Sequence, residues 1–139
     1  MKIWQVFIAM QIGCIVVFYL CIIIINKQKK RQMKNQFYAT FYIAGFTYWN
    51  GLDVFDELKI GTPLQLEVEP TNGHDPNAVK ILYQDTMLGY IPRDQNEEIS
   101  KFLQLGYTNL FNTKINRINP DAHPEKQVSV VVKITKKEK

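Results

Sequence analysis

An uninterrupted apolar run near the amino terminus is the feature that most restricts how this chain can fold. Ile3–Ile25 contains no charged residue, and Gln5 and Gln11 are its only strongly polar side chains. As an α-helix rising about 1.5 Å per residue, the run would measure roughly 34 Å, enough for the ~30 Å hydrocarbon core of a bilayer. We therefore predict a transmembrane anchor in residues 1–25, with residues 3–25 in contact with the membrane.

Two kinds of processing are the alternatives to an uncleaved anchor. A secretory signal peptide has a shorter apolar core, of about 7–15 residues, and small residues at its cleavage site. This run instead ends in Ile22–Lys27, which contains no small residue. Gly13-Cys14 resembles the end of a lipoprotein signal, although Gln11 stands where such a signal has an aliphatic residue.

Charge is divided unevenly between the start of the chain and the rest. Of the 17 basic residues, six precede residue 36, where no acidic residue occurs; the other 11 face all 13 acidic residues. The basic pI therefore belongs to a short segment, which weakens any inference from net charge to nucleic-acid binding.

The position of these charges predicts the topology. A basic linker, residues 26–36, directly follows the apolar run and carries five of the early positive charges. The positive-inside rule then predicts a single-pass protein of the bacterial inner (cytoplasmic) membrane with its C-terminal domain in the cytoplasm. Both cysteines, Cys14 and Cys21, lie in the run, so the following domain has no disulfide framework, as expected in a reducing compartment.

From residue 37 onward the pattern is mainly β. Leu64–Glu69 and Ala78–Gln84 alternate apolar and polar residues, as strands do. Asp94–Leu105 is the clearest helix, because Asp94 and Glu97 fit a capping box and Gly106 follows its end. We predict one domain over residues 37–135, a small, partly closed antiparallel β barrel of about six strands with one main helix, and a charged tail at residues 136–139.

The chemistry of the chain favours binding over catalysis. His74 and His123 are the only histidines, and the predicted domain has no cysteine, which is too few nitrogen and sulfur ligands for a structural zinc site. The sequence contains no phosphate-binding loop and no Rossmann glycine pattern. We therefore expect a protein that is not an enzyme and needs no cofactor.

The densest polar loop lies in the middle of the predicted domain. Thr71–Leu82 places turn-forming residues on both sides of His74 and then runs directly into a strand. A loop of this kind between two strands is where a small β domain commonly carries its binding residues.

Four segments of the chain, including this loop, resemble the successive motifs of the HIRAN domain. They occur in the family's order and spacing, and they are Gly45–Gly51, Gly61–Leu64, Asn72–Val79 and Leu88–Arg93. The resemblance covers about residues 37–135 and implies an OB-like β barrel. HIRAN domains occur in SWI/SNF-related DNA translocases and in bacterial and phage proteins, and the DNA-binding members hold the 3′ end of single-stranded DNA. For this chain it implies a membrane-anchored DNA-binding module, with any helicase or nuclease activity supplied by a separate partner.

The resemblance also implies a set of binding residues. The DNA-binding members have an Arg-Tyr pair where this chain has Thr47-Tyr48, and an aromatic-Asp pair where it has His74-Asp75. The implied nucleic-acid-binding residues are Thr47, Tyr48, Trp49, His74, Asp75, Asn77 and Arg93. A carboxylate repels phosphate but accepts a hydrogen bond from a free terminal hydroxyl, and the aromatic rings can stack on bases.

Other roles for these residues stay open at the level of sequence. Asp75 fits a residue that caps its own turn, and Arg93 fits an ion pair with Glu97 at the helix start. Thr47 in place of arginine, with the acidic balance of the domain, favours the alternative of a membrane-tethered protein-interaction module that has kept the fold and lost DNA binding.

Overall fold

The computed structural model describes residues 3–32 and 35–135 and divides the chain into two compact units, Met1–Asn35 and Gln36–Lys139. The first unit contains helix α1, Ile3–Gln32. Within the described residues, Ile3–Lys27 is the one helical stretch long and apolar enough to cross a membrane, judged by length and composition alone. The helix thus continues to Gln32, beyond the predicted anchor end at residue 25 and into the segment predicted as a linker. The predicted tail, residues 136–139, lies outside the described residues.

The second unit contains six strands and one main helix, as the sequence predicts. The strands are β1 (Asn35–Tyr42), β2 (Pro63–Val68), β3 (Val79–Tyr83), β4 (Thr86–Tyr90), β5 (Phe111–Ile118) and β6 (Val128–Thr135), and α2 spans Glu97–Gln104. Short 3₁₀ helices lie at Leu52–Glu57 and Pro124–Lys126. The strand order is β1-β6-β5-β2-β3-β4, and the four neighbouring pairs from β6 to β4 are all antiparallel.

The two ends of this sheet meet just after β1, which makes the barrel partly closed. Ala44 and Tyr90 exchange both backbone hydrogen bonds, each 2.9 Å long. Gly89 permits this approach, because it has φ +148° and a Cβ there would lie 2.4 Å from the carbonyl oxygen of Ala44. Only a residue without a side chain can occupy that position without a shift of the backbone.

The barrel interior is filled by the inward-facing residues of the strands. β6 shows why the strands form, because its sequence is rich in β-branched residues and its Val128, Val130 and Val132 are essentially fully buried. Ile99 and Leu103 from α2 join the same core. Phe102 of the same helix is 42% exposed and packs edge-on against Phe111.

The predicted start of the main helix is wrong by three residues. Asp94 lies in a turn in which the Gln95 N–H donates to the Pro92 carbonyl, and α2 begins at Glu97. The predicted capping box is absent because Asp94 is not the N-cap residue, and the Glu97 side chain pairs with Lys101 (2.5 Å) one helical turn later. Asn96 occupies the N-cap position without capping the helix, since its side chain is used elsewhere.

Candidate nucleic-acid interface

A cleft of about 500 Å³ lies where the loop after β2 meets the end of β4 and the start of α2. Its polar and aromatic lining comprises Trp49, Asn72, His74, Asp75, Tyr90, Arg93 and Asn96. Ala44, which closes the barrel, also lines it. The residue that closes the barrel and the loop between β2 and β3 therefore line the same cleft.

The loop is held in shape by two side chains that bond to its own backbone. Asn72 Oδ1 accepts from the N–H groups of His74 (2.9 Å) and Asp75 (3.1 Å). Asp75 Oδ1 accepts from the N–H of Asn77 at 2.9 Å. These are the local turns that Asn and Asp favour, so the sequence Asn72–Asn77 specifies its own conformation. The interpretation that Asp75 caps its own turn thus agrees with the geometry.

The second oxygen of Asp75 is fixed from the helix. Asn96 Nδ2 donates to Asp75 Oδ2 at 2.7 Å, and Asn96 is only 2% exposed. The Asn96 bond, the Asn77 N–H and the nearby charge of Arg93 lower the pKa of the Asp75 carboxyl, more than its partial burial raises it. Each oxygen of an ionised carboxylate has two lone pairs, so both Asp75 oxygens keep one acceptor position. Asp75 is therefore an ionised, oriented acceptor at the cleft.

A second carboxylate supports the loop from behind. Glu69 Oε2 accepts from the Tyr90 hydroxyl at 2.7 Å and from Asn72 Nδ2 at 2.8 Å. These two bonds lower the pKa of Glu69, with Asn72 as the larger cause. Burial, and then the bond to Glu69, raise the pKa of Tyr90 to about 12. This network joins the end of β2 to β4 and to the loop, which limits how far Asp75 can move.

An aromatic pair forms another wall of the cleft. The Trp49 and Tyr90 rings meet edge-to-face with centroids 5.7 Å apart, and Trp49 remains 43% exposed. Gly45 has φ +72°, a conformation that side chains rarely adopt, and a Cβ there would make an ordinary contact with the indole at 3.4 Å. An exposed indole held in this way can accept a stacked base.

The structure brings together four of the seven residues that the sequence singled out. Trp49, His74, Asp75 and Arg93 line the cleft. Thr47, Tyr48 and Asn77 do not line it. Tyr48 is 86% exposed, and Asn77 takes part through its backbone N–H. A role for these residues in binding stays a prediction.

Arg93 is exposed, and its predicted alternative partner is engaged elsewhere. Glu97 pairs with Lys101, and no ion pair links it to Arg93 in the described structure. Arg93 is the one basic residue among the described residues that line the cleft. Its guanidinium is thus available to an anion next to Asp75.

Sequence reasoning missed the residues that position Asp75. Asn96 was assigned to the interior of a helix beginning at Asp94, so its side chain was not considered as a partner for the loop. Tyr90 and Glu69 lie in recognisable strand patterns, but their bond crosses 21 residues and depends on the pairing of the sheet. Asn72 alone carried a local signal, as a turn former two residues before His74.

The arrangement suits a ligand that presents a hydroxyl and an anionic group close together, with a flat ring nearby. Asp75 can accept from the hydroxyl, Arg93 can attract the anion, and Trp49 or His74 can contact the ring. Among residues 3–32 and 35–135, no group of three or more His, Cys, Asp or Glu is placed to hold a metal ion.

Comparisons with known proteins place the fold. A crystal structure of a protein from Lactobacillus plantarum matches with a TM-score of 0.60 and 21% identity, over 72% of this chain and 94% of that one. The crystal structure of the HIRAN domain of human HLTF matches with a TM-score of 0.51 and 12% identity, over 75% of this chain and 80% of that one. A search of curated protein sequences gave no match. The family model of the HIRAN domain matches residues 36–135, so the chain belongs to the HIRAN domain family.

Proposed function

We propose that this protein binds nucleic acid through the cleft at Asp75, and that its ligand is the 3′ end of single-stranded DNA. HIRAN domains are nucleic-acid-binding modules, and the match covers nearly the whole second unit. The observation that carries the proposal is the geometry of Asp75, an ionised carboxylate held by Asn96 and Asn77 with acceptor positions left over. A strand interior would bring phosphates to this position, whereas a strand end brings a hydroxyl.

The neighbours of Asp75 support the same ligand. A terminal nucleotide has a phosphate on its 5′ side, which Arg93 can attract, and a base, which Trp49 or His74 can stack on. Each such base contact is worth about 1–3 kcal/mol. With one cation at the cleft, affinity should be weak and should rise at low salt.

The anchor completes the proposal. Helix α1 holds the domain at the membrane through residues 3–25, with the domain in the cytoplasm of a bacterium. The protein itself catalyses nothing, and a separate helicase or nuclease acts on the bound end.

The proposal is tested with oligonucleotides that differ only at the 3′ terminus. Binding of a labelled single strand ending in a hydroxyl, a hydrogen or a phosphate is measured by fluorescence anisotropy at low salt, with the full chain in lipid nanodiscs. We expect the hydroxyl end to bind about tenfold more tightly than the other two, because it alone donates to Asp75 and adds no charge. Asp75→Asn should reduce that preference, while Asp85→Asn, an exposed carboxylate outside the cleft, should preserve it.

One observation favours a second function. Thr47 occupies the position where DNA-binding members have arginine, and Arg93 is the single cation in the described lining of the cleft. A membrane-tethered module that binds protein would need no more positive charge than this. Equal binding, or no binding, of the three DNA ends would reject the DNA proposal and favour this second function.

A further inference from the structure

The outer edge of β1 is the open edge of the sheet. β1 pairs with β6 on one side, and it lies at the end of the strand order. The opposite sheet end, β4, is covered by the segment after β1, through Ala44 to Tyr90 and through the Asn50 N–H to the Met87 carbonyl (3.1 Å). Within the described residues, no strand covers β1 itself, so alternate N–H and C=O groups along it face outward.

The sequence of β1 contains none of the residue types with which proteins usually block edge strands. β1 reads Asn-Gln-Phe-Tyr-Ala-Thr-Phe-Tyr, with no charge, no proline and no glycine. Its four aromatic residues and its threonine favour a strand. An eight-residue edge of this composition is suited to accept another strand.

A groove of two depressions, about 610 and 460 Å³, lies against β1, and Asp94 and Gln95 line both of them. The smaller depression lies between β1 and the segment that leads into α2, and the larger also extends over β5 and β6, where Asn116, Arg117 and Ser129 line it. The Tyr38 hydroxyl reaches across the groove to Glu98 Oε2 at 2.6 Å. We call this the β1 groove.

The charge of the β1 groove indicates what it accepts. Its described lining contains four acidic residues, Asp94, Glu97, Glu98 and Glu125, and one basic residue, Arg117. Asp94 and Glu125 are exposed and form no ion pair in the described structure. Nucleic acid is disfavoured by this balance, and a second copy paired through β1 would bring two acidic grooves together.

We propose that the β1 groove binds an extended basic segment of a partner protein, which adds to β1 as a further strand. Backbone hydrogen bonds to β1 provide the binding, and lysine or arginine side chains at alternate positions meet the acidic residues. This site is separate from the cleft at Asp75, and the proposal does not depend on DNA binding.

The probe for this proposal is a fluorescent heptapeptide in which lysine and valine alternate, added to the full chain in nanodiscs of uncharged lipid. We expect saturable binding and slower amide hydrogen exchange in residues 37–42. Two further peptides carry backbone N-methyl groups, one at every lysine and the other at every valine. At least one of them should lose binding, because its methyl groups lie on the edge of the peptide that faces β1 and block the backbone hydrogen bonds. Unaltered binding of both peptides would overturn the proposal, as would protection confined to other segments.

Charge is tested by paired substitutions. Asp94→Asn with Glu125→Gln should weaken peptide binding about fivefold, as expected for two exposed charges. Glu57→Gln with Asp85→Asn removes two exposed carboxylates outside the groove and should leave binding unchanged. Equal effects of the two pairs would contradict specific recognition. Self-association of the chain with protection of β1 in the absence of peptide would likewise overturn the choice of partner.

Discussion

The side-chain amide of Asn96 donates to Asp75 Oδ2 at 2.7 Å, and this bond joins the loop between β2 and β3 to the start of α2. Asn96 is 2% exposed and stands at the N-cap position, yet its side chain is turned to the loop and not to the helix. The side chain that would ordinarily cap α2 is thus used to orient Asp75 in the candidate site.

Asn96→Ala should destabilise the domain and loosen Asp75. Loss of a hydrogen bond to a charged group, made in a buried place, costs about 1.5–3 kcal/mol. The pKa of Asp75 should rise toward its ordinary value, because the Asn96 bond is the largest cause of its lowering. Urea unfolding of residues 36–139 measures the first effect, and NMR titration of the Asp75 carboxyl measures the second.

Asn109→Ala is the matched control for this substitution. Asn109 is exposed on the loop before β5, with no hydrogen bond in the described structure. Its loss should change the free energy of unfolding by less than about 0.5 kcal/mol. Equal stability of the two variants would show that the Asn96 bond contributes nothing to the fold.

Gly89→Ala should open the barrel where its two ends meet. The new Cβ would lie 2.4 Å from the Ala44 carbonyl oxygen, at a φ of +148° that side chains rarely adopt. We expect a loss of about 2–4 kcal/mol, measured by thermal or urea unfolding. Gly73→Ala is the control, since a Cβ at Gly73 meets no atom within 4 Å. If both variants unfold at the same denaturant concentration, the closure at Ala44 and Tyr90 is not required for stability.

The hydrogen bonds of Glu69 with Tyr90 and Asn72 should make the stability of the domain fall in acid. The folded state lowers the pKa of Glu69 below its ordinary value of 4.5, so the unfolded state binds the proton more readily. The stability contributed by Glu69 is therefore complete at neutral pH, and it is lost as the pH falls below 4.5 through the folded pKa. Urea midpoints measured between about pH 7 and pH 3 should fall, and Glu69→Gln should flatten part of that dependence.

A control separates Glu69 from the other carboxylates. Glu57 is exposed and makes no hydrogen bond or ion pair in the described structure, so Glu57→Gln should leave the pH dependence as it is. Tyr90→Phe removes one of the bonds that lower the pKa of Glu69 and should flatten the dependence partly. If the urea midpoint depends on pH in the same way in the wild type and in Glu69→Gln, this role of Glu69 is ruled out.

Much of the fold follows from local sequence, and the contacts of the site do not. The strands β2 and β3 follow from alternating apolar and polar residues, and Asn72 and Asp75 specify their turns within a few residues. The bond from Asn96 to Asp75 spans 21 residues and depends on where α2 begins. Asn96 stands at the N-cap position with its side chain bonded to Asp75 and not to the helix, and this arrangement cannot be read from either segment alone.

Arg93→Gln tests whether the cation at the cleft acts on a phosphate. The substitution should weaken binding of a single strand with a 3′-hydroxyl, and the loss should be similar for all base sequences. The slope of log K against log salt should become shallower by about 0.7, the value for one phosphate contact on a single strand. The measurement is anisotropy over a series of salt concentrations, with the same labelled strand throughout.

Arg117→Gln makes the same change of charge on an exposed arginine outside the cleft. It controls for the general attraction between the domain and DNA, which acts at a distance and is screened by salt. If Arg93 contacts a phosphate in the cleft, Arg93→Gln should change the slope of log K against log salt and Arg117→Gln should not. The effect of Arg93→Gln should be largest for single strands with a 3′-hydroxyl, whose end binds in the cleft. Equal changes of slope in the two variants would show that Arg93 acts only through the general charge of the domain. The phosphate position assigned beside Asp75 would then be wrong.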